Sequence, residues 1–503
     1  MSAERAVLSF GFGLCLLWAL IPSVLFPNPP LDVVEGFAWG KELALGYTKH
    51  PPLQAWLLEL SYRITGGRTV GGYWLSQISI GLGYFCLWHL AKRMGLSPWQ
   101  AFWSIVLTSV TFYFTLPAPE FNPNIIQIPI WAGMVLVTHR ALQQGRLLDW
   151  ILLGVLAALG LYTKYFVALL IGTIGLYVLV YPEARKSLLT IGPWLAALVC
   201  LILLIPHVLW LVETNFLTFQ YAASRSKGAD GWIDHVFNPV HFLGAQIGNH
   251  AGLFVVVVAG FGLSSLKAFR NRLAEANNQR NRNSDQDKFL LWFAFLPLSV
   301  VLLASAVTGN EFERMWGTPL FVLSGVIAVR YLRLPAAWIF PRRALVAALA
   351  IQAIFLSVII GQAVLEPYWK KKQTRMHYPG PAVARAMSAE WLNATGTPIA
   401  YVAGDMWSAA NITNNARERP SMFYHHDPVL SPWIDLEDVQ KKGVMLVWRG
   451  DSETPPPEIL RYYPDAIRQG TQSFAYNTPA DTPPVKVNWV IIKPGMVAES
   501  PMQ

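Results

Sequence analysis

Two carboxylates and a lysine–histidine pair stand close together near the start of this 503-residue chain. They lie in Asp32-Val-Val-Glu35 and, a little further on, in Tyr47-Thr48-Lys49-His50-Pro51-Pro52-Leu53. A carboxylate held in a partly apolar pocket can take a proton from a hydroxyl as a general base. A lysine fixed beside it can bind a phosphate as a point charge. Each residue also has a plainer reading. Asp32, just before a helical stretch over 33–46, suits a helix cap, and Glu35 one turn on suits a helix N-terminus. Lys49 can extend its ammonium to a membrane interface. Pro51-Pro52 impose an extended approach, and Leu53-Gln-Ala-Trp56-Leu57-Leu58 opens an amphipathic helix suited to an interface.

Further polar clusters punctuate otherwise apolar sequence. Pro117-Ala-Pro119-Glu120-Phe121-Asn122-Pro123-Asn124 sets an acid beside two amides, either to orient an acceptor and hold sugar hydroxyls or only to cap the next helix by a tight turn. Lys164, His207 and Arg314 each lie at the end of an apolar run. A lone histidine near a helix end is more often a satisfied structural residue than a ligand. Three cationic candidates on one membrane face suit a phosphate.

The elements that must position these residues follow from composition. The chain is 53% hydrophobic and 14% charged, well below the ~25% charged residues usual for a soluble protein, so a polytopic membrane protein is expected. Measured against the roughly 20 residues that cross a bilayer, spans are expected near 6–26, 72–91, 102–118, 124–141, 148–163, 166–182, 188–211, 246–266, 289–308, 315–331 and 343–364, about eleven in all. Proline-rich sequence follows the first run, with no small-residue cleavage site, so that run is expected to stay as an anchor. The net charge of +9 sits in short loops between apolar runs, as the positive-inside rule predicts, and does not indicate nucleic-acid binding. These basic loops alternate. The N-terminus is then cytoplasmic, and the loops 27–71, 119–123, 212–245 and 309–314, with every polar cluster above, share the outer face. The polar segment 267–288 reads as a cytoplasmic linker.

Residues 1–365 thus form a transmembrane domain, with interfacial helices in its first outer loop, and 366–503 a soluble outer domain. There, strand-like runs at 398–403, 443–448 and 485–492 alternate with helical patterns at 405–416 and 432–442, indicating a small α/β unit. Cys15, Cys86 and Cys200 lie far apart in apolar runs and suggest neither a metal site nor a disulfide framework. There is no P-loop, no nucleophile elbow and no internal repeat of the transporter kind.

Taken in order, Asp32, Glu35, Lys49-His50-Pro51-Pro52-Leu53, Pro119-Glu120-Phe121-Asn122-Pro123-Asn124, Thr163-Lys164-Tyr165, Pro206-His207-x-x-Trp210, Arg314-x-Trp316-x-x-Pro319 and the tail Gly404-Asp405…Arg419-Pro420-Ser421 span most of the chain. The set resembles the polyprenol-phosphate-sugar-dependent glycosyltransferases of the C-type (GT-C) fold. That group includes relatives of the protein O-mannosyltransferases, the lipid A aminoarabinose transferases and rhizobial transferases that add galacturonic acid to lipopolysaccharide. The resemblance implies a mainly α GT-C fold in the bacterial inner membrane and inverting transfer from a polyprenyl-phosphate sugar at the periplasmic face. The acceptor would be lipid A, lipopolysaccharide or another envelope glycan.

On this resemblance Asp32 and Glu120 are the catalytic candidates, and Lys49 and Arg314 contact the donor phosphate. Glu35, His50, Asn122, Asn124, Lys164 and His207 are substrate-binding candidates. Thr48 stands where the aminoarabinose transferases carry an acid associated with a bound metal, so no required metal or other cofactor is expected. Three alternatives share these features: a flippase or transporter of lipid-linked sugars, a protein O-glycosyltransferase, and a polymerase or ligase acting on diphosphate-linked glycans. A transporter should carry ionisable residues or helix breaks at mid-membrane, whereas here the loops hold the charge.

Overall fold

The computed structural model describes residues 2–225, 228–261, 285–332, 342–370 and 374–496. The linker expected over 267–288 lies almost wholly outside them, as does the end of the expected span 246–266. Among the described residues, five helices are long and apolar enough to cross a bilayer: Ala3–Leu25, Pro123–Gln144, Ile191–Glu213, Asp285–Thr308 and Arg342–Val364. Three pairs pass only when joined, Tyr165–Val180 with Pro182–Leu189, Asp234–Asn249 with Ala251–Gly260, and Arg314–Leu320 with Ser324–Leu332, and they bend by 97°, 43° and 58°. The chain divides into two compact units.

The first unit comprises Met1–Ala19, Ser76–Val208 and Ala222–Val358. Its apolar helices turn large side chains outward. Leu198, Leu201 and Ile202 on Ile191–Glu213 are 53%, 64% and 54% exposed, a pattern that suits lipid and would be a liability in water. Inside, the helices lock through a buried polar chain. Trp18 donates Nε1–H to Gln352 Oε1 at 2.8 Å, and Gln352 Nε2 donates to the Ser109 carbonyl at 2.7 Å. Small residues let helices meet closely. A Cβ on Gly325 would lie 2.1 Å from the Ser104 carbonyl oxygen.

The expected span at 102–118 is not one continuous helix. The helix Pro98–Ser109 stops and a short turn, Phe112–Phe114, follows. The hydroxyls of Thr108, Ser109 and Thr111 bond the Ser104, Val106 and Thr108 carbonyls, a local competition with the helix ladder. The stretch 212–245, expected to be a loop, contains the helices Leu217–Arg225 and Asp234–Asn249. On the latter, polar His235, Asn238, His241, Gln246 and Asn249 recur at near-helical spacing. Val236, Phe237, Val240 and Ile247 are exposed. The alternation keeps average hydropathy low, which hid the helix from a search for apolar runs.

The second unit comprises Leu20–Leu75, Leu209–Tyr221 and Ile359–Gln503. It contains a five-stranded sheet in the order β2-β1-β3-β5-β4, with β1 Tyr401–Gly404, β2 Ser421–Tyr424, β3 Val444–Arg449, β4 Gly470–Phe474 and β5 Val485–Ile492. The β2-β1-β3 ladder is parallel, and β5 and β4 add antiparallel strands. The helix Met406–Asn415 links β1 to β2 and packs with Gly380–Thr395 on one face. Val439, on the helix Leu436–Lys442, packs on the other face with Phe423 and Leu446. Strands β1, β3 and β5 match the three expected runs. Strands β2 and β4 did not stand out, because β2 is four residues long and β4 exposes Thr471, Gln472 and Ser473.

The helices Leu31–Gly40 and Leu53–Ile64 pack together in this unit. The first was expected over 33–46 but ends at Gly40, and the chain turns through Leu43 in a left-handed conformation (φ 49°). The second does more than lie at an interface, since it buries Gln54, Leu58 and Glu59. Arg419 forks onto Glu59, with Nη1 at 3.2 Å from Oε1 and Nη2 at 2.9 Å from Oε2. Arg63 Nε adds a bond of 2.8 Å, and the Arg419 guanidinium lies 3.9 Å from the Tyr62 ring centroid. Burial alone would push the Glu59 carboxyl up, but the two arginines hold it below its usual range. That stabilisation is present above the unfolded-state pKa and is lost as pH falls through the folded one. Arg419→Met should cost about 3 kcal/mol, the low end for breaking a buried pair, because Glu59 keeps only the more exposed Arg63. Chemical unfolding in detergent checks this, and the variant should also lose part of the wild-type sensitivity to acid.

Candidate functional site

In the second unit the candidates gather around the helix Leu31–Gly40. Pro30 holds the N-cap position, so Asp32 lies inside the first turn and does not cap the helix. Its backbone carbonyl accepts from Gln54 Nε2 at 2.9 Å, and its half-buried carboxylate remains a candidate for chemistry. Glu35, one turn on, is buried, and Lys49 Nζ lies 2.6 Å from its Oε1. Burial pushes the Glu35 carboxyl up to about 7, against the downward pull of Lys49, while nearby Asp32 raises it further. For Lys49 burial acts downward, but Glu35 outweighs it and holds the ammonium above its usual value. His50 follows, half-buried, ahead of Pro51-Pro52 and the helix Leu53–Ile64. Thr48 donates its hydroxyl to the Leu430 carbonyl at 2.6 Å. It brings no carboxylate to the position where the resemblance places a metal-associated acid, so the residues here do not fit that metal site.

In the first unit the structure brings together residues far apart in sequence. A cavity of about 860 Å³ is lined by Asn122, Asn124, Tyr113, Asn249, Glu311 and Arg314, among others. Asn122 caps the helix Pro123–Gln144, its Oδ1 accepting from the Asn124 and Ile125 amides at 2.9 and 3.3 Å. Asn124 Oδ1 accepts from Lys164 Nζ at 3.0 Å, and the same ammonium lies 4.9 Å from the Trp316 ring centroid. Lys164 follows the helix Leu147–Thr163 in an extended conformation. Arg314, two residues before Trp316, donates Nη2–H to His241 Nε2 at 2.9 Å.

The loop carrying Arg314 is pinned along the polar face of Asp234–Asn249. Asn238 Nδ2 donates to the Gly309 carbonyl at 2.7 Å, and Gln246 Nε2 to the Arg314 carbonyl at 3.1 Å. His207 is buried, with its Nε2 at 2.9 Å from Tyr165 Oη, and serves as a packing partner of Tyr162 and Tyr165. Glu120 ends the turn 117–120, half-buried, with its amide donating to the Pro117 carbonyl at 3.1 Å.

Sequence inspection missed His241, Gln246 and Asn249, which share the polar face of a helix expected to be mostly loop. It also missed Glu59. The matching signal for Arg419 was present in the tail motif, but nothing local links residues 360 positions apart.

The family model described as dolichyl-phosphate-mannose-protein mannosyltransferase matches residues 49–210. The lipid A galacturonosyltransferase RgtD of Rhizobium johnstonii is 22% identical over 316 residues, 61% of each chain, so this chain spans about three-fifths of that relative's length. The lipopolysaccharide core galacturonosyltransferase RgtB of the same organism is 23% identical over 449 residues, 86% of this chain and 85% of its own. Among solved structures, ArnT from Cupriavidus metallidurans bound to undecaprenyl phosphate superposes with a TM-score of 0.58 at 13% identity, over 96% of this chain and 97% of that one. The likeness extends over nearly the whole chain and bears out the resemblance carried by the motifs. Among the described residues it comes with five helices long and apolar enough to cross a membrane, and three bent pairs that pass when joined.

The Glu35 environment has a measurable consequence. Between the ordinary value of 4.5 and about 7 the folded chain keeps a proton on Glu35 that the unfolded chain has released. Stability from this group therefore falls as pH rises through that window. Glu35→Gln should flatten this part of the pH dependence in thermal unfolding. An unaltered profile would remove Glu35 as its source.

Proposed function

We propose that this chain, whose fold is that of the C-type glycosyltransferases, is an inverting glycosyltransferase. It moves a sugar from a polyprenyl-phosphate donor to an acceptor, lipid A, lipopolysaccharide or another envelope glycan, at the periplasmic face of the inner membrane. The observation that carries this reading is the polar cavity of the first unit, where amides, the Arg314 guanidinium and the carboxylates of Glu311 and Glu313 line about 860 Å³ within a unit of lipid-facing helices. That chemistry suits an anionic, hydroxyl-rich ligand delivered from the membrane. The relatives named above transfer galacturonosyl groups to lipid A or the lipopolysaccharide core, which supports an envelope lipid or glycan as acceptor. Among the described residues, Gly71–Arg93 and Leu147–Thr163 are further candidate crossings beside the eight apolar helices and pairs, which supports a topology of about eleven spans. With a cytoplasmic N-terminus and an odd number of spans, the reading puts the segment after residue 366 outside.

The reaction needs few parts. The acceptor oxygen attacks the anomeric carbon, the bond from that carbon to the phosphate oxygen breaks, and polyprenyl phosphate leaves. Asp32 takes the acceptor proton, and Lys49 is assigned to the charge growing on the departing phosphate, an electrostatic stabilisation favoured where water is excluded. In the first unit, Glu120 and Arg314 are kept as a further acid candidate and a further phosphate candidate. Lys164 and Asn124 hold the polar wall of the cavity beside Trp316. The donor carries its own activated phosphate, so the chemistry calls for no nucleotide-binding loop.

Lipid mass spectrometry of a deletion strain tests the reading. One envelope lipid or glycan should lose the mass of a single sugar, and the wild-type gene should restore it. A deletion strain with unchanged envelope glycans would count against the proposal. Asp32→Asn should lower kcat by about 10²–10⁴-fold, the usual contribution of a general base, while the protein still inserts. Lys49→Ala should chiefly raise the donor KM, and an unchanged donor dependence would take Lys49 out of the phosphate site.

A further inference from the structure

The short stretch Tyr47-Thr48-Lys49 is gripped from several sides within the second unit. The Tyr47 ring stacks on Trp39 at 5.1 Å between centroids and meets Trp433 edge-on at 5.6 Å. Its hydroxyl donates to the Trp39 carbonyl at 2.8 Å, and Thr218 Oγ1 donates to the Tyr47 carbonyl at 3.0 Å. Thr48, only 4% exposed, donates to the Leu430 carbonyl at 2.6 Å. Nearby, Lys41 Nζ donates to Ser421 Oγ at 2.7 Å.

The contacts at Leu430 and Trp433 come from the loop after β2, which is rigid in its own right. Tyr424 N–H donates to Ser431 Oγ at 2.9 Å, Val429 N–H to Asp427 Oδ1 at 2.9 Å, and Trp433 Nε1–H to the Met422 carbonyl at 3.1 Å. The half-buried Tyr424 phenol, at the carboxyl end of β2, is close enough for Lys49 and Glu35 to act on its ionisation.

We propose that the segment 421–433 is a strap that holds the first-loop lysine over Glu35, with Thr48 as its positioning residue. The C-terminal sheet then does more than carry an outer domain: it sets the place of Lys49. An ion pair alone fixes a flexible lysine poorly, since its four-carbon stem has many rotamers. Anchoring Tyr47 and Thr48 fixes the backbone from which that stem extends, so that the Glu35 carboxylate has only the stem itself to order. The assignment rests on the reading of Lys49 as a donor-phosphate contact, but the strap itself is testable without it.

The experiment uses the full-length protein in detergent and two readouts. The first is the rate at which a water-soluble amine-acylating reagent labels Lys49, followed by peptide mass spectrometry. The second is steady-state transfer from a polyprenyl-phosphate sugar. Thr48→Val keeps the shape and removes the donor. It should raise Lys49 labelling several-fold and raise donor KM by about tenfold, the scale of one lost hydrogen bond, with kcat near wild type. Thr48→Ser should restore both. Trp433→Leu, which removes the ring contact from the other side, should move labelling in the same direction. Should neither variant change Lys49 labelling or donor KM, or should they only lower the melting temperature, the strap is overturned. If the wild type transfers no sugar while labelling responds as described, the strap stands and the functional reading falls.

Discussion

A carboxylate buried as deeply as Glu35 needs a cation, and that need fixes where Lys49 stands. The pair closes at 2.6 Å in a setting where either group alone would be costly. Around it the second unit arranges the rest: Asp32 one turn back on the same helix, Thr48 tied to Leu430, and Tyr47 between two tryptophans. Glu59 and Arg419 repeat the principle nearby. There a bidentate pair joins the helix Leu53–Ile64 to Arg419, two residues before β2. This second pair unites early and late parts of the chain. An enzyme that must keep a lysine ready for phosphate gains from such a scaffold, because positioning done in the fold need not be done when substrate binds.

The first unit solves a different problem, that of keeping a polar cavity among lipid-facing helices. Its solution is an amphipathic helix, Asp234–Asn249, whose polar face pins the Arg314 loop while Val236, Phe237 and Val240 face outward. Lys164 reaches the same wall from another helix end and divides its attention between the Asn124 amide and the Trp316 ring. In the Arg314 loop the carbonyls of Gly309 and Arg314 both accept side-chain bonds.

Much of this was legible in the residues. Long apolar runs marked the helices Ala3–Leu25, Ile191–Glu213 and Arg342–Val364, because hydropathy alone decides them. Asn124, Lys164 and Arg314 stood out as polar residues at the ends of apolar runs; Asn124 and Arg314 line one cavity, and Lys164 bonds Asn124. What escaped was set by long-range contact or by mixed pattern. Asp234–Asn249 alternates polar and apolar faces, so it was taken largely for loop. β4 is a polar edge strand that exists because β5 pairs with it. Asp32 was open to reading as a cap until the structure gave that place to Pro30. Asn122 caps a helix and also lines the cavity, and His207 is buried beside Tyr165.

The central claim is chemical: that a sugar is transferred, not carried across. Reconstituted protein given a polyprenyl-monophosphate sugar labelled in the sugar tests it directly. The account predicts that label appears on the acceptor lipid or glycan while polyprenyl phosphate is released one for one. Label that crosses the bilayer still bound to its carrier, with no polyprenyl phosphate released, would contradict it.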